Sequence, residues 1–366
     1  MSDWIDRLRA QIKPAEPIPP GQSVWIFGAG MFGRAVARAC IQRNIHVCGF
    51  VQTTPTQSVV DDLRVVSWTD LSADDKRMPL LIGIHNRDTA LDGLVELATN
   101  AGCTQVVMPW TLYAQFGDIL GWRYWLADPA VLLAHSDDLR RTHARLADDI
   151  SRACFERIVA FRMGLDLAYS SFSHPDPQYF NALTLPILTQ RPLRYLDGGA
   201  YTGDSFLELL RHASIKQAWL FEPDRANFAK LAQSVRQQKL PGLCLPLALS
   251  DQYALLRFNS GIGEAGNVSP EGNDAIATVA VDDLLAGETI DLLKLDVEGS
   301  EAAALRGAAQ TLKASRPVLT ISAYHHPDDL WVLPDLLAEL CEGYRFYLRQ
   351  HTNNSFELVL YGVPGD

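Results

Sequence analysis

The sequence predicts an α/β protein built from two parallel-sheet modules joined by a helical segment. Three observations carry this reading. Strand-length apolar runs alternate with helical periodicity from Ser23 to Met108, the alternation restarts at Arg194, and each module places a glycine turn directly after its first strand. A chain of 366 residues is long for one domain, and two domains is the natural division.

At the N-terminus Trp4, Ile5, Leu8 and Ile12 fall at helical spacing with Asp3 as cap, and a proline-rich connector from Pro14 to Pro20 ends the helix. This helix and linker, residues 1–22, is expected to dock on a domain surface or on a second subunit, so a homo-oligomer is possible. A small Rossmann-like α/β domain is expected over residues 23–119. Its strands are Val24 to Phe27, Ile45 to Val51, Leu80 to Ile84 and Gln105 to Met108, with helices from Arg34 to Arg43 and around Leu91 to Ala101. Residues 120–189 read as a helical connector. In it Ser136 caps one long helix whose apolar face carries Leu139, Leu146, Ile150, Cys154, Ile158 and Phe161.

The second module, residues 190–366, begins with the strand Tyr195-Leu196 and a glycine turn. Strands follow at Ala218 to Phe221, Leu243 to Ala248, Ile290 to Leu295 and Val318 to Ala323, with helices at Asn227 to Gln237, Ala302 to Leu312 and Leu333 to Leu340. Two extended segments, Tyr344 to Arg349 and Phe356 to Tyr361, close the chain and suit an antiparallel pair at the edge of a parallel sheet.

The hydrophobic fraction of 48% is that of a chain able to bury a full core, and a net charge of −11 disfavours a nucleic-acid partner, which needs a basic stripe. The six cysteines are scattered without a CxxC pair and read as small buried hydrophobes in a reducing compartment. No run approaches the length of a membrane span and the N-terminus lacks a signal-peptide core, so the expected location is cytoplasmic.

The informative chemistry lies in the second module. Asp197-Gly198-Gly199-Ala200-Tyr201-Thr202-Gly203-Asp204 forms a strand-to-helix turn in which small residues admit a ligand to the backbone. Its acids at Asp197 and Asp204 repel phosphate and favour a zwitterionic ligand that carries cationic groups. The next strand ends in Phe221-Glu222-Pro223, an acid about 25 residues on, where ribose hydroxyls are bound in nucleoside-binding α/β folds.

At Lys294-Leu295-Asp296-Val297-Glu298-Gly299-Ser300-Glu301 the segment resembles the FkbM-type methyltransferase family. The glycine turn, Phe221-Glu222-Pro223, Leu247 to Asp251 and Ile321-Ser322-Ala323-Tyr324-His325 match in order, over about Tyr179 to Tyr361. The resemblance implies a class I, Rossmann-type methyltransferase domain using S-adenosyl-L-methionine, with transfer to a hydroxyl of a carbohydrate or other polar metabolite. It places Asp197, Gly198, Gly199, Ala200, Gly203 and Asp204 about the methionine part, Glu222 and Pro223 at the ribose, and Leu249, Ser250 and Asp251 beside the adenine. Tyr201 departs from the glycine or asparagine common at its position.

An alcohol loses its proton as it attacks a methyl group, and His325, after the fifth strand, is the expected general base. Asp296 and Glu298 end the fourth strand at the same sheet edge, to orient the acceptor, raise the basicity of His325 or, for Asp296, hold the donor ammonium. Lys294 shares their face and is expected to pair with Glu298 or Glu301. No metal is expected, although Asp296, Glu298 and His325 form a conceivable divalent site. The segment from His326 to Asp329 also reads as the start of a helix capped by Asp328 or Asp329.

In the first module Gly28-Ala29-Gly30-Met31-Phe32-Gly33 has the context of a dinucleotide turn, but the second strand ends in Val51-Gln52-Thr53-Thr54 without the acid such a site uses. With Val47 to Val51 and Ile82 to Arg87 the turn resembles the small N-terminal domain of bacterial sugar acyltransferases, which implies a nucleotide-linked sugar as ligand. A packing or dimerisation module is the equal alternative. For the whole chain the rivals to methyl transfer are a nucleotide-sugar-binding protein and a nicotinamide-dependent oxidoreductase.

Overall fold

The computed structural model describes residues 3–13, 16–261 and 266–365. Pro14, the first residue of the expected connector, lies outside them. The chain forms two compact units, the first made of Met1–Arg140, Ala153–Ser173 and Thr352–Phe356, the second of Arg141–Arg152, His174–His351 and Glu357–Asp366. The segment expected as a connector is therefore divided between the units and forms no body of its own.

In the first unit Asp3 caps the helix Trp4–Arg9, which docks on its own unit: Arg140 pairs with Asp6 at 2.8 Å, and Trp4 meets Phe155 edge-on at 6.0 Å. The sheet holds β1 (Ser23–Phe27), β2 (His46–Val51), β3 (Val59–Val60), β4 (Leu63–Val66), β5 (Pro79–Ile82) and β6 (Gln105–Val107) in the order β3-β4-β2-β1-β5-β6. All neighbours are parallel except β3 with β4, a short hairpin that no hydrophobic periodicity marks. The first helix after β1, Met31–Gln42, starts three residues earlier than its apolar pattern suggests.

The expected long helix is two, Ser136–Arg145 and Asp149–Arg162. The break is tertiary in origin. Ala147 donates its N–H to the Phe346 carbonyl at 2.8 Å, and Asp148 accepts from Ser151 N at 2.7 Å while pairing with Arg349 at 2.7 Å. Ile150, assigned to the apolar face, is 57% exposed.

The second unit is organised by a seven-stranded sheet of β7 (Leu193–Gly198), β8 (Ile215–Phe221), β9 (Gly242–Leu245), β13 (Leu292–Leu295), β14 (Val318–Ser322), β15 (Tyr344–Gln350) and β16 (Leu358–Pro364). The order is β15-β16-β14-β13-β7-β8-β9, parallel from β14 to β9, with β16 antiparallel to both β14 and β15. This is the parallel sheet with a terminal antiparallel pair of a Rossmann-type methyltransferase fold. Connections leave β7 toward β8 and β9, and leave β13 toward β14, so the strand order reverses between β7 and β13. Ligands bind at the carboxyl ends of the strands at such a switch point.

A small sheet of β10 (Ala248–Leu249), β12 (Asp274–Val279) and β11 (Ala254–Phe258) intervenes before β13. Its antiparallel β11–β12 pair alternates buried and open residues, and it lies in a segment the sequence reading leaves blank. The expected helix from Ala302 to Leu312 is split into Glu301–Arg306 and Ala309–Ser315. Gly307 sits at the break, where a Cβ would lie 2.0 Å from the Ser250 carbonyl oxygen. Tyr195, Phe206, Leu220, Leu231, Leu292 and Val318 belong to the core beneath the sheet. All six cysteines are free, and burial pushes the Cys40 thiol up to about 12 and that of Cys341 to about 11. Among the described residues no helix is long and apolar enough to cross a membrane.

Candidate active site

The glycine turn after β7 is tight for reasons internal to the fold. Gly199 has φ +75°, and a Cβ there would lie 1.9 Å from the Asp296 carbonyl oxygen, so the turn presses directly on the end of β13. Gly203, at φ +93°, starts the helix Asp204–His212. Leu249 is buried within reach of Gly198, whereas Asp204 and Asp251 are exposed. Ala200 is buried and donates its N–H to the Phe221 carbonyl. Pro223 and Ser250 are half-buried, the latter donating its hydroxyl to Asp251 Oδ1 at 3.3 Å.

Glu222 ends β8 against this turn. Its Oε2 accepts from Tyr201 N at 2.9 Å and its Oε1 from Asp224 N at 2.8 Å. Burial pushes its carboxyl up to about 7 against the pull of those two donors. Tyr201 takes a left-handed backbone, φ +47°, which aims its N–H at the carboxylate.

Lys294 does not pair with Glu298 or Glu301. It stands opposite Asp197 in the β13–β7 register, and its Nζ lies 3.1 Å from Asp197 Oδ1. The ammonium also donates to the carbonyl oxygens of Gly199 at 2.7 Å and Gly198 at 3.4 Å. Burial opposes the charge, but Asp197 and Asp296 overcome it and hold the ammonium above its ordinary pKa. Ser205 Oγ fills the other Asp197 oxygen at 2.7 Å. Asp197 is thus a buried brace beneath the turn. The parallel pairing, invisible in the sequence, selects this partner.

Asp296, Glu298 and His325 do come together. His325, completely buried, has Nδ1 at 2.9 Å from Glu301 Oε1, and Nε2 at 3.5 Å from Asp296 Oδ1 and 3.7 Å from Glu298 Oε2. Glu301 is itself fixed, because Oε1 accepts from Val297 N at 2.8 Å and Oε2 from Gly299 N at 3.1 Å. The loop of Glu298 (φ +52°) and Gly299 (φ +97°) is left-handed, a conformation a glutamate adopts at a cost of about 1 kcal/mol or more. Asp329 Oδ2 accepts from His326 N at 2.8 Å, so the start of the helix Asp329–Leu340 holds the histidine segment in place.

The charges interact strongly. Burial disfavours the His325 imidazolium, but Glu301 and Glu298, then Asp296, outweigh it and raise its pKa well above the ordinary value. Burial pushes Glu298 up to about 8, with His325 opposing and Asp296, Glu301 and Glu357 adding repulsion. Asp296 stays below the usual carboxylate range, since Lys294 and His325 overcome its burial. In the ligand-free protein the carboxylates thus favour the protonated form of His325, burial favours the neutral form of Glu298, and Lys294 with His325 favours the ionised form of Asp296.

Several participants escaped the sequence reading. Tyr179 donates to Asp296 Oδ2 at 3.0 Å, and Tyr324 reaches Asp296 Oδ1 at 3.4 Å and Glu357 Oε1 at 3.5 Å. Gln178 also donates to Glu357. Gln178, Tyr179 and Glu357 stand far from Asp296 in sequence, and Tyr324 lies within the matched Ile321 to His325 segment without a role assigned to it. Glu301 lay in the matched motif and was read only as a partner for Lys294.

This edge suits a cationic nucleoside ligand. Mutual repulsion among Asp296, Glu298, Glu301 and Glu357 is relieved by positive charge, and Glu222 presents a carboxylate at the next strand end. Asp296, Glu301 and His325 also place one ligand atom each within 4.8 Å of one another, a possible divalent-cation set. Glu301 fits that role poorly, because a cation would compete with two backbone N–H groups for its oxygens. The groove lined by Arg191, Arg194, Lys216 and Asp291 lies at the opposite, amino-terminal edge of the strands.

Comparison with known proteins agrees with the fold. Residues 197–353 match the family described as the Methyltransferase FkbM domain, and that match implies S-adenosyl-L-methionine as cofactor. The crystal structure of Methyltransferase FkbM from Methylobacillus flagellatus KT is similar over 99% of this chain and 94% of that one, with a TM-score of 0.76 and 20% identity. A putative rRNA-methylase from Clostridium thermocellum covers 50% of this chain and 93% of its own, at 6% identity and a TM-score of 0.34. SMU.1697c, a putative methyltransferase from Streptococcus mutans in complex with SAH, covers 49% and 92%, at 14% identity and a TM-score of 0.32. No curated protein matches the chain.

Proposed function

We propose that the FkbM-type domain of residues 197–353 makes this protein an S-adenosyl-L-methionine-dependent O-methyltransferase, acting in the cytoplasm on a hydroxyl of a carbohydrate or related polar metabolite. The observation that carries this is the Glu301–His325 pair, which directs Nε2 toward Asp296 and Glu298 at the sheet edge beside the glycine turn. When bound, the cofactor supplies an electrophilic methyl group on a sulfonium, so the chain has to align an oxygen with it and remove a proton.

Glu222 holds the ribose hydroxyls, the backbone of Gly198 to Ala200 lines the methionine part, and Leu249 to Asp251 flank the adenine. Asp296, kept ionised by Lys294, takes the positive pole. His325 cannot act as a base while it is an imidazolium. Its proton is held by the surrounding carboxylates, and positive charge bound at Asp296 weakens that hold, so the loaded site frees His325 as the neutral imidazole that can accept a proton. The rest of the proton network is Glu298, whose pKa of about 8 lets it exchange a proton near neutral pH. Tyr179 and Tyr324 fix Asp296 and wall the site with hydroxyls suited to a polyol.

The test is calorimetric binding of S-adenosylhomocysteine followed by transfer of labelled methyl to a panel of sugars and nucleotide-linked sugars. His325→Ala is expected to keep cofactor affinity and lose turnover. Absence of S-adenosylhomocysteine binding rejects the reading.

A further inference from the structure

The first unit has features at its own carboxyl edge that methyl transfer leaves unused. The helix Met31–Gln42 begins at that edge of the sheet, directly after the Gly28 turn. Its first N–H groups have no partner within the helix, its N-cap Gly30 makes no side-chain cap, and its first turn holds no acid. The three glycines of the turn differ in a telling way. At Gly28, φ +102°, a Cβ would lie 2.4 Å from Ile84, and at Gly33 it would lie 1.9 Å from the Gly28 carbonyl oxygen, so folding requires both. Gly30 has φ −75° and ψ −172°, which any residue adopts, and a Cβ there meets nothing within 4 Å. Neither conformation nor packing asks for glycine at position 30, but close approach of a ligand to the backbone does.

A second, independent feature stands beside the same helical turn. His85 is 8% exposed and neither ring nitrogen has a hydrogen-bond partner. Its ring is 6.2 Å from that of Phe32, the second residue of the helix, with Trp125 and Phe356 closing its other sides at 5.2 and 5.1 Å. Burial, then Arg123 and Arg162, push its pKa down to about 3, so the ring is neutral and free to share a proton with an acceptor. The Arg123 guanidinium lies 5.5 Å over the Phe32 ring, its Nε is buried without a partner, and among the described residues it has no carboxylate. In a chain of net charge −11 this is a local cationic pole at a helix N-terminus.

We infer that the first unit binds the phosphate groups of a nucleotide, a nucleoside diphosphate or its conjugate, between the N-terminus of helix Met31–Gln42, Arg123 and His85. Trp68, half-buried after β4 at the same edge of the sheet, is held edge-to-face at 4.6 Å by the buried Phe27, and its ring is the one aromatic face of this pair that a base could meet. β2 ends in Val51-Gln52-Thr53 without an acid for a ribose diol, which separates this site from a dinucleotide enzyme's. The inference is independent of the methyltransferase reading, since its residues all belong to the first unit.

The experiment is calorimetric titration of the full chain with ADP, UDP, NADH and inorganic pyrophosphate, on wild type, Arg123→Gln and Gly30→Asp. Aspartate at position 30 has the backbone of an N-cap and open space, so that variant should fold with an unchanged or slightly raised Tm while its carboxylate occupies the phosphate position. ADP or UDP is expected to bind wild type, about tenfold or more weaker to Arg123→Gln and undetectably to Gly30→Asp. S-adenosylhomocysteine affinity should be the same in all three. If no nucleotide binds wild type, or if both variants bind as wild type does, the site is refuted. Pyrophosphate binding as tight as that of ADP and UDP refutes the nucleotide assignment, and NADH binding tightest overturns the choice of class. Should Gly30→Asp fail to fold, Arg123→Gln alone decides.

Discussion

Replacing Glu301 by glutamine isolates the role of the carboxylate behind His325. Glutamine keeps an oxygen that can accept from Nδ1 and from one of the two backbone N–H groups, so the ring stays near its place while the charge is lost. Both side chains are essentially solvent-free, and a hydrogen bond to a buried charged group is worth about 1.5–3 kcal/mol. At 1.36 kcal/mol per pKa unit, the His325 pKa should fall by roughly one to two units. A weaker base lowers the plateau of kcat, by about three- to tenfold if roughly half of the change in basicity is felt in the transition state, and moves its acid limb to lower pH by the same one to two units. The assay is methyl transfer from pH 5 to 10, paired with NMR titration of the His325 ring in the ligand-free variant. If the variant loses only thermal stability, with pH limb and ring pKa unmoved, Glu301 is merely structural and the base assignment loses its support.

Other consequences follow from the same geometry. Glu222 must ionise for both of its oxygens to accept from the ribose diol, and its carboxyl stands at about 7, so S-adenosylhomocysteine affinity should fall by up to about tenfold per pH unit below 7 and level above it. Glu222→Gln should bind weakly at every pH, and a pH dependence that survives in it contradicts the assignment. Lys294→Met leaves Asp197 buried without its counter-ion and should lower stability by about 3–5 kcal/mol in denaturant titration, partly restored by adding Asp197→Asn. Because folding raises the carboxyl pKa values of Glu222 to about 7 and Glu298 to about 8, their contribution to stability is complete below pH 4.5 and is lost as pH rises to 8. The Tm of the ligand-free protein should drop across that window, and Glu298→Gln should flatten the drop. Dialysis against a chelator should leave turnover unchanged, and full restoration by added Mg²⁺ after a loss would instead assign Asp296, Glu301 and His325 to a metal.

Local pattern makes much of this protein legible in its sequence. Buried parallel strands are continuous apolar runs and helices repeat at their own period, so both α/β units appear as alternations, with strand ends shifted by up to three residues. The glycine turn, Glu222, Asp296, Glu298 and His325 were readable because each directly follows a strand, and parallel strands bring their carboxyl ends to one edge whatever the loops do. What failed to appear depends on pairing across long sequence distances. The break at Ala147 exists because Phe346 offers a carbonyl about two hundred residues on. Lys294 meets Asp197 because of strand register, and Glu301 turns from a presumed salt-bridge partner into the anchor of His325 through a left-handed loop. Sequence alone determined which residues reach the edge of the sheet, since secondary structure follows from neighbours along the chain. The tertiary structure decided which of them touch, because contact distances, and with them the proton affinities, are set by residues from about 25 positions away, as in Glu301–His325, to about a hundred, as in Asp197–Lys294.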